Sequence, residues 1–224
     1  MAALRGACIL ALRPFATIFG GSLLLLILIG TDVLAQGVRS IDGCTIRRGT
    51  FCVDMNLHGA DLQGVNLANS QFTRSVLTEV NLTGANLNEA NLSKTNLRGA
   101  NLSQASLVKT NALGARFNNA LLVDADLRGA NLRNADLSGA DLTGSILKNV
   151  DLTNAKLGDA ILDNTDMQFA KMRAANLQGA SLVSANLQGV DFTNVDLTNA
   201  DLSEANIDQA IFTRAKTDGC KGCP

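Results

Sequence analysis

From Met55 to Arg214 a large apolar residue returns at every fifth position, beginning Leu57, Leu62, Leu67, Phe72 and ending Ile207, Phe212. The run is 160 residues, or 32 pentads in one phase, and every central residue is Leu, Ile, Phe or Met except Ala112. Numbering the slots of a pentad one to five with the large residue third, slot one is Ala in 20 of 32 pentads and slot two is Asn or Asp in 21. Slot five is Gly in 10 and Asn in 8. A period of five fits neither the 3.6 of a helix nor the 2 of a long strand. Slots one and three lie two apart, so in an extended segment both point inward and slot two points out. Slots four and five must then turn the chain, and a type II turn needs positive φ at its third residue, where Gly and Asn are tolerated best. Each pentad is therefore predicted to be a short extended step followed by a corner, and stacked laps of such steps form a solenoid.

Runs such as Ala100-Asn101-Leu102-Ser103-Gln104 and Ala135-Asp136-Leu137-Ser138-Gly139 resemble the A(D/N)LXX signature of the pentapeptide-repeat family. The resemblance covers about 70 per cent of the chain (160 of 224 residues) and implies an all-β fold, a right-handed quadrilateral β-helix of about eight coils with four pentads per coil and irregular terminal caps. Ala112 departs from the signature, and Phe117 is expected to fill part of the space it leaves. At about 4.8 Å per coil, eight coils make a rod roughly 40 Å long.

The flanks divide the chain into residues 1–35, a signal peptide; 36–54, an N-terminal cap; 55–214, the solenoid; and 215–224, a C-terminal cap. Arg5 and Arg13, the apolar run Phe15 to Ile29 and the small residues of Val33-Leu34-Ala35 form an export-signal pattern, with cleavage expected after Ala35. Contact with a membrane is expected only through this segment, if it is retained. Within the N-terminal cap, Ile46 and Phe51 keep a spacing of five, while Phe51 to Leu57 is six, which reads as one inserted residue.

Four cysteines lie outside the repeats: Cys44, Cys52, Cys220 and Cys223. Export permits disulfides, and four cysteines allow three pairings. A rod roughly 40 Å long separates the two pairs far beyond the about 4.4–6.8 Å that bridged Cα atoms require. Bridges within one chain are then Cys44–Cys52 and Cys220–Cys223, each pinning a terminal segment over an open edge. The competing reading is a redox-active Cys220-Lys221-Gly222-Cys223, in which the lysine favours thiolate. No thioredoxin-like βαβ pattern surrounds it.

Without residues 1–35 the chain has 17 basic and 19 acidic residues, a net charge of −2, which favours neither nucleic acid nor a strongly basic partner. Sorting the slots by a lap of twenty residues changes that picture. One face collects Asp61, Asp124, Asp141, Asp163, Asp201 and Glu204 with no Lys or Arg, and also Leu121, Val123, Ile161 and Val183. The opposite face collects Arg74, Lys94, Arg133, Lys171, Arg173 and Arg214 against Asp151 and Asp191. The acidic face with its apolar inset is the candidate docking surface for a protein partner, since apolar contacts within a polar rim are the usual anatomy of such surfaces. The charge split also allows salt-sensitive stacking of molecules side by side.

Catalytic candidates are few. His58 is the only histidine and stands in a fourth slot on the exterior, with no nucleophile or metal partner in its pattern. The frequent Asn and Asp follow the repeat, as turn residues do, and the glycines share its period, so they are not phosphate loops. No catalytic residue, metal or cofactor is expected. The leading expectation is an exported, non-enzymatic scaffold, in the periplasm or, like family members of cyanobacteria and chloroplasts, the thylakoid lumen. A DNA mimic, as in the family's gyrase-binding resistance proteins, is the alternative that a signal peptide and a basic face oppose. A thiol-redox protein using Cys220 and Cys223 is the other. An ice-binding surface would need a regular threonine ladder, which Leu113, Arg133 and Arg173 interrupt.

Overall fold

The computed structural model describes residues 40–224. The expected signal segment, its cleavage point and the first residues of the N-terminal cap lie outside them. Parallel bridges join each second-slot residue to the one twenty positions on, from Phe51↔Gln71 through Leu121↔Asp141 and Asp141↔Ile161 to Asp201↔Lys221, without a skipped step. Twenty residues therefore make one lap, four pentads make one coil, and side chains twenty apart stand in vertical files. The fold is the all-β quadrilateral solenoid that the family resemblance implies.

The corners follow from slot five. Every fifth-slot residue from Asp54 to Gly219 has φ between 54° and 69°. The first-slot N–H of the next pentad donates back to the third-slot carbonyl, as from Ala85 to Leu82 (2.9 Å) and Ala120 to Phe117 (2.9 Å). This is the closure of a β-turn with positive φ at its third residue. Glycine takes that conformation without cost from a Cβ, and asparagine visits it more readily than other side chains. The steps are tied vertically by the N–H groups of slots two, three and five. Around Leu142, for example, Asp141 donates down to Ala120 (3.0 Å), Leu142 up to Ile161 (2.7 Å) and Gly144 up to Asp163 (3.0 Å).

One backbone donor per pentad is left over, the fourth-slot N–H, and it explains slot two. The second-slot side chain accepts it two residues back: Asp141 Oδ1 from Thr143 (2.9 Å), Asn101 Oδ1 from Ser103 (3.0 Å), Asp151 Oδ1 from Thr153 (3.0 Å). Asn and Asp are thus more than outward-facing polar residues; they satisfy the donor that the ladder misses. Where slot two is serine, a fourth-slot side chain one coil below takes over. Asn88 Oδ1 accepts Val108 N–H (2.8 Å) and the Ser106 hydroxyl (2.6 Å), and Asp163 Oδ1 accepts Val183 N–H (3.0 Å) and the Ser181 hydroxyl (2.5 Å).

The interior is one continuous column of third-slot Leu, Phe and Met, wrapped by first-slot Ala and Val. Ala112 and Phe117 are both buried in it. Where Thr or Ser replaces a first-slot Ala, the hydroxyl usually finds a carbonyl, in the coil below for Thr95 at Phe72 (2.7 Å) and Thr110 at Leu87 (2.7 Å), or in its own turn for Thr165 at Leu162 (2.7 Å). Ser145 Oγ is buried without a partner among the described residues.

Both ends differ from the sequence expectation. At the N-terminal end no residue is inserted: Cys52, not Phe51, occupies the central slot and is fully buried, while Phe51 takes slot two and is 77% exposed. The cap above it is a hairpin, with β1 (Ser40–Ile41) antiparallel to β2 (Cys44–Thr45). Asp42 and Gly43 join the strands with φ of 48° and 82°, the two positive values that a type I′ turn demands. At the other end the pentad register runs on through 215–221, with Asp196↔Lys216 and Asp201↔Lys221 still paired. These residues extend the last coil rather than form a separate lid.

Candidate interaction faces

Because twenty residues make a lap, the two charged faces expected from the sequence are real files on opposite sides of the rod. Asp61, Leu121, Asp141, Ile161 and Asp201 form one second-slot file, and Val123, Asp163 and Val183 the fourth-slot file beside it. Asp124 and Glu204 stand in slot five, at the corner. Leu121 (43%) and Ile161 (41%) are exposed, whereas Val123 and Val183 are half-buried. Leu121 and Ile161 flank Asp141 in one file, so the apolar residues form a short column with a carboxylate between them. Asx residues usually hold these second slots, and among the described residues the fourth-slot N–H groups of Val123 and Asp163 have no intramolecular acceptor.

One expectation is overturned. The acidic face does carry a base: the extended register brings Lys221 onto it, and its Nζ lies 3.0 Å from Asp201 Oδ2. Hydrogen bonds from Ser203, with Lys221 adding to them, hold the Asp201 carboxyl down at about 2. The net charge of the face is therefore −5, six acids against Lys221.

The basic face is partly neutralised from within. Arg74 makes a bidentate pair with Asp54 (2.7 and 2.6 Å), which the extended register adds to this face, and Arg173 pairs with Asp191. The Arg74 guanidinium holds the Asp54 carboxyl below the usual carboxylate range. Lys94, Arg133, Lys171 and Arg214 make no ion pair among the described residues. Six bases against Asp54, Asp151 and Asp191 leave +3. An open depression of about 470 Å³ lies on this face between Arg133, Asp151, Thr153, Lys171, Arg173 and Asp191.

His58 is exposed and its Nδ1 meets the Thr78 hydroxyl at 2.8 Å, so it bridges two coils and faces no nucleophile. Among the described residues no cluster of His, Cys, Asp or Glu has metal-binding geometry. Disulfides join Cys44 to Cys52 (Cα–Cα 5.3 Å) and Cys220 to Cys223 (5.8 Å). The first two cysteines are fully buried; the last two are half-buried.

Two surface features escaped the sequence reading. Phe169 stands in slot five at φ 58°, 53% exposed, with its ring over Gly189, where a Cβ would come within 2.7 Å of it. Ile146, one coil below on the same mixed face, is 37% exposed. A bulky side chain in a slot that favours Gly or Asn was the available signal.

Sequence patterns of this architecture match nearly the whole solenoid. One, described as Pentapeptide repeats (8 copies), matches residues 56–93, 151–189 and 175–214; another, Pentapeptide repeat region, matches 88–157. The chain belongs to the pentapeptide-repeat family. Among solved pentapeptide-repeat structures, QnrB1, a plasmid-mediated fluoroquinolone resistance protein, aligns with a TM-score of 0.61 at 18% identity, over 76% of this chain and 88% of its own. That likeness shows a common fold. HetL, involved in heterocyst differentiation regulation in the cyanobacterium Nostoc sp. strain PCC 7120, is 26% identical over 84% of this chain and 92% of its own, with a TM-score of 0.45. A pentapeptide-repeat protein from the Arabidopsis thaliana thylakoid lumen is 27% identical over 62% of this chain and 68% of its own, with a TM-score of 0.25. No curated protein matches the chain in a sequence search.

Proposed function

We propose that this pentapeptide-repeat protein is an exported, non-enzymatic scaffold that docks a protein partner through its acidic face. The observation that carries the reading is the Leu121–Asp141–Ile161 file. At Leu121 and Ile161, as at Phe51, Val76, Ile146 and Ile211 on other faces, the second slot gives up the side-chain acceptor that Asn or Asp supplies in most pentads and exposes an apolar group instead. Only on the acidic face do two such residues stand in one file within two coils of each other. That exchange does nothing for the rod's own stability, so an external contact is its best explanation. The surrounding carboxylates supply a polar rim and favour a partner with basic groups around an apolar centre.

Export is supported by the signal pattern of residues 1–35 together with two disulfides, which persist in oxidising compartments. Mass analysis of the protein from its native source should find Gln36 as the first residue.

The docking test is the pair Leu121→Asn and Ile161→Asn. Both restore the residue that slot two usually holds, so folding is kept while the apolar column is removed. Hydroxyl-radical footprinting of the captured complex should protect the Asp141 region, and the double variant should lose the partner. Undiminished capture by that variant refutes the assignment.

A further inference from the structure

The docking reading leaves the occupant of the acidic face open, and the opposite side of the rod supplies one. We propose that the occupant is the basic face of a second copy of this chain, laid parallel and in register, so that rods join side by side. The inference rests on the docking reading for the choice of face; the arrangement of charges gives it the partner.

In a four-sided coil the chain crosses opposite faces in opposite directions. When a copy is shifted sideways without rotation, slot two of the acidic face therefore meets slots four and five of the basic face, and slot four meets slot two. Coils of equal rank then lie half a lap apart in height, and a slide of about 2.4 Å along the axis, half of a coil rise of about 4.8 Å, brings them level. This rule brings Asp61 to Arg74, Asp163 to Lys171 and Asp201 to Arg214, three opposite-charge pairs spread along the rod. Leu121 lies against the alkyl stem of Arg133, and Ile161 beside Ala174 and the stem of Arg173. The acids on the basic face avoid the acids opposite: Asp151 meets Thr143 and the Gly144 corner, Asp191 meets Ser184, and Asp141 meets Thr153 and Asn154. With coils of equal rank level, no like charges face one another, although one face carries −5 and the other +3. Without that slide each coil sits equally near the next rank and sets Asp61 by Asp54, Asp163 by Asp151 and Glu204 by Asp191, so the charges select this register.

The contact is heterologous: one surface of each copy meets a different surface of the next, so assembly does not close and grows as a ribbon. A strip about 40 Å by about 10 Å buries about 800 Å² in total, the class of weak, transient contacts. Exposed ion pairs contribute little one by one and are screened by salt. Association is therefore concentration-dependent and salt-sensitive.

The test uses two charge variants at positions whose slots already hold the introduced charge elsewhere in the rod. The acid-face variant is Asp61→Lys, Asp124→Lys and Glu204→Lys; the base-face variant is Lys94→Glu, Lys171→Asp and Arg214→Glu. Sedimentation equilibrium of the unaltered protein should show mass rising with concentration at about 20 mM salt, and the association constant should fall at least about tenfold at about 500 mM. Each variant alone should stay monomeric. Mixing the two should restore association, because each then presents a face complementary to the other, and the restoration shows that both are folded. A monomeric unaltered protein at about 1 mM and low salt, or a mixture that stays monomeric, overturns the proposal. The base-face variant keeps the acidic face intact. If self-association is absent but that variant still captures another protein through Leu121 and Ile161, the second copy is the wrong occupant and the docking reading survives.

Discussion

Both ends of the rod are closed by a disulfide, yet they are opposite constructions. At the N-terminal end the hairpin β1–β2 lies over the first coil, with its own Cys44 buried against the core along with Ile46, Thr50 and Cys52. At the C-terminal end no hairpin covers the last coil among the described residues. Ile207, Ala210 and Phe212 are only half-buried, and Phe212 is held by stacking on Phe192 with ring centroids 5.0 Å apart. The Cys220–Cys223 bridge joins residues three apart, both half-buried at the edge of the core. In a solenoid each coil is stabilised by the coils above and below it, so among the described residues the half-buried C-terminal coil is held least. The comparison predicts that the C-terminal coil unfolds first and that the hairpin-covered end holds longer.

The largest effect should come from the middle, which both ends serve. Leu142→Ala removes a fully buried side chain and should cost about 2–5 kcal/mol in urea unfolding, whereas Phe212→Ala at the open edge should cost less than half as much. Equal losses would break the contrast. Next come the disulfides. Removing Cys44–Cys52 should cost about 2–3 kcal/mol by loop closure, with further loss because the hairpin depends on it, while removing Cys220–Cys223 should cost about 2 kcal/mol or less. Under graded reduction by dithiothreitol, the half-buried C-terminal pair should be trapped by alkylation first. Persistence of that pair after the buried one opens would reverse the assignment.

Acid should act on the same end. Asp196 is held at about 2 by the Thr198 hydroxyl, with Gln178 and Lys216 adding to it, and Asp201 at about 2 by Ser203 and Lys221. Both values lie below that of the unfolded chain, so their stabilisation is complete above pH of about 4 and is lost as pH falls toward about 2. Amide exchange of the last coil should accelerate over that window while the Leu82–Leu107 amides of the inner coils hold. The smallest effect is expected from Leu121→Asn. It should leave stability unchanged or raise it by about 0.5–1.5 kcal/mol, the net contribution of one hydrogen bond, measured as a shift in urea midpoint.

The five-residue period made the extended step and its corner legible before any coordinates, because inward Ala and Leu two apart and a Gly or Asn corner leave the backbone few options. The lap of four pentads was implied by the family resemblance, not by the period. The opposed charge files followed from it. Other features needed the third dimension. That Asp141 serves the N–H of Thr143 depends on which donor the ladder leaves over, and a pattern of outward polar residues does not reveal it. The relay through Asn88 and Asp163 joins residues eighteen to twenty apart and has no local signature. The hairpin did have one, Asp42-Gly43, but two-residue strands are too short to show alternation. The phase at the N-terminal end was misread because Phe51 is larger than Cys52 and drew the centre to itself; burial in a disulfide outweighed size. Lys221 was missed because a run of apolar centres that ends at Phe212 hides a backbone that keeps going.

The lap of twenty has an evolutionary corollary. Deleting one pentad from the middle leaves every corner and every ladder bond available, but it rotates all that follows by a quarter turn and deals the outward residues into new columns. Deleting four shortens the rod and leaves its columns aligned. Recombination in units of five can thus rewire this surface wholesale without altering one interior side chain.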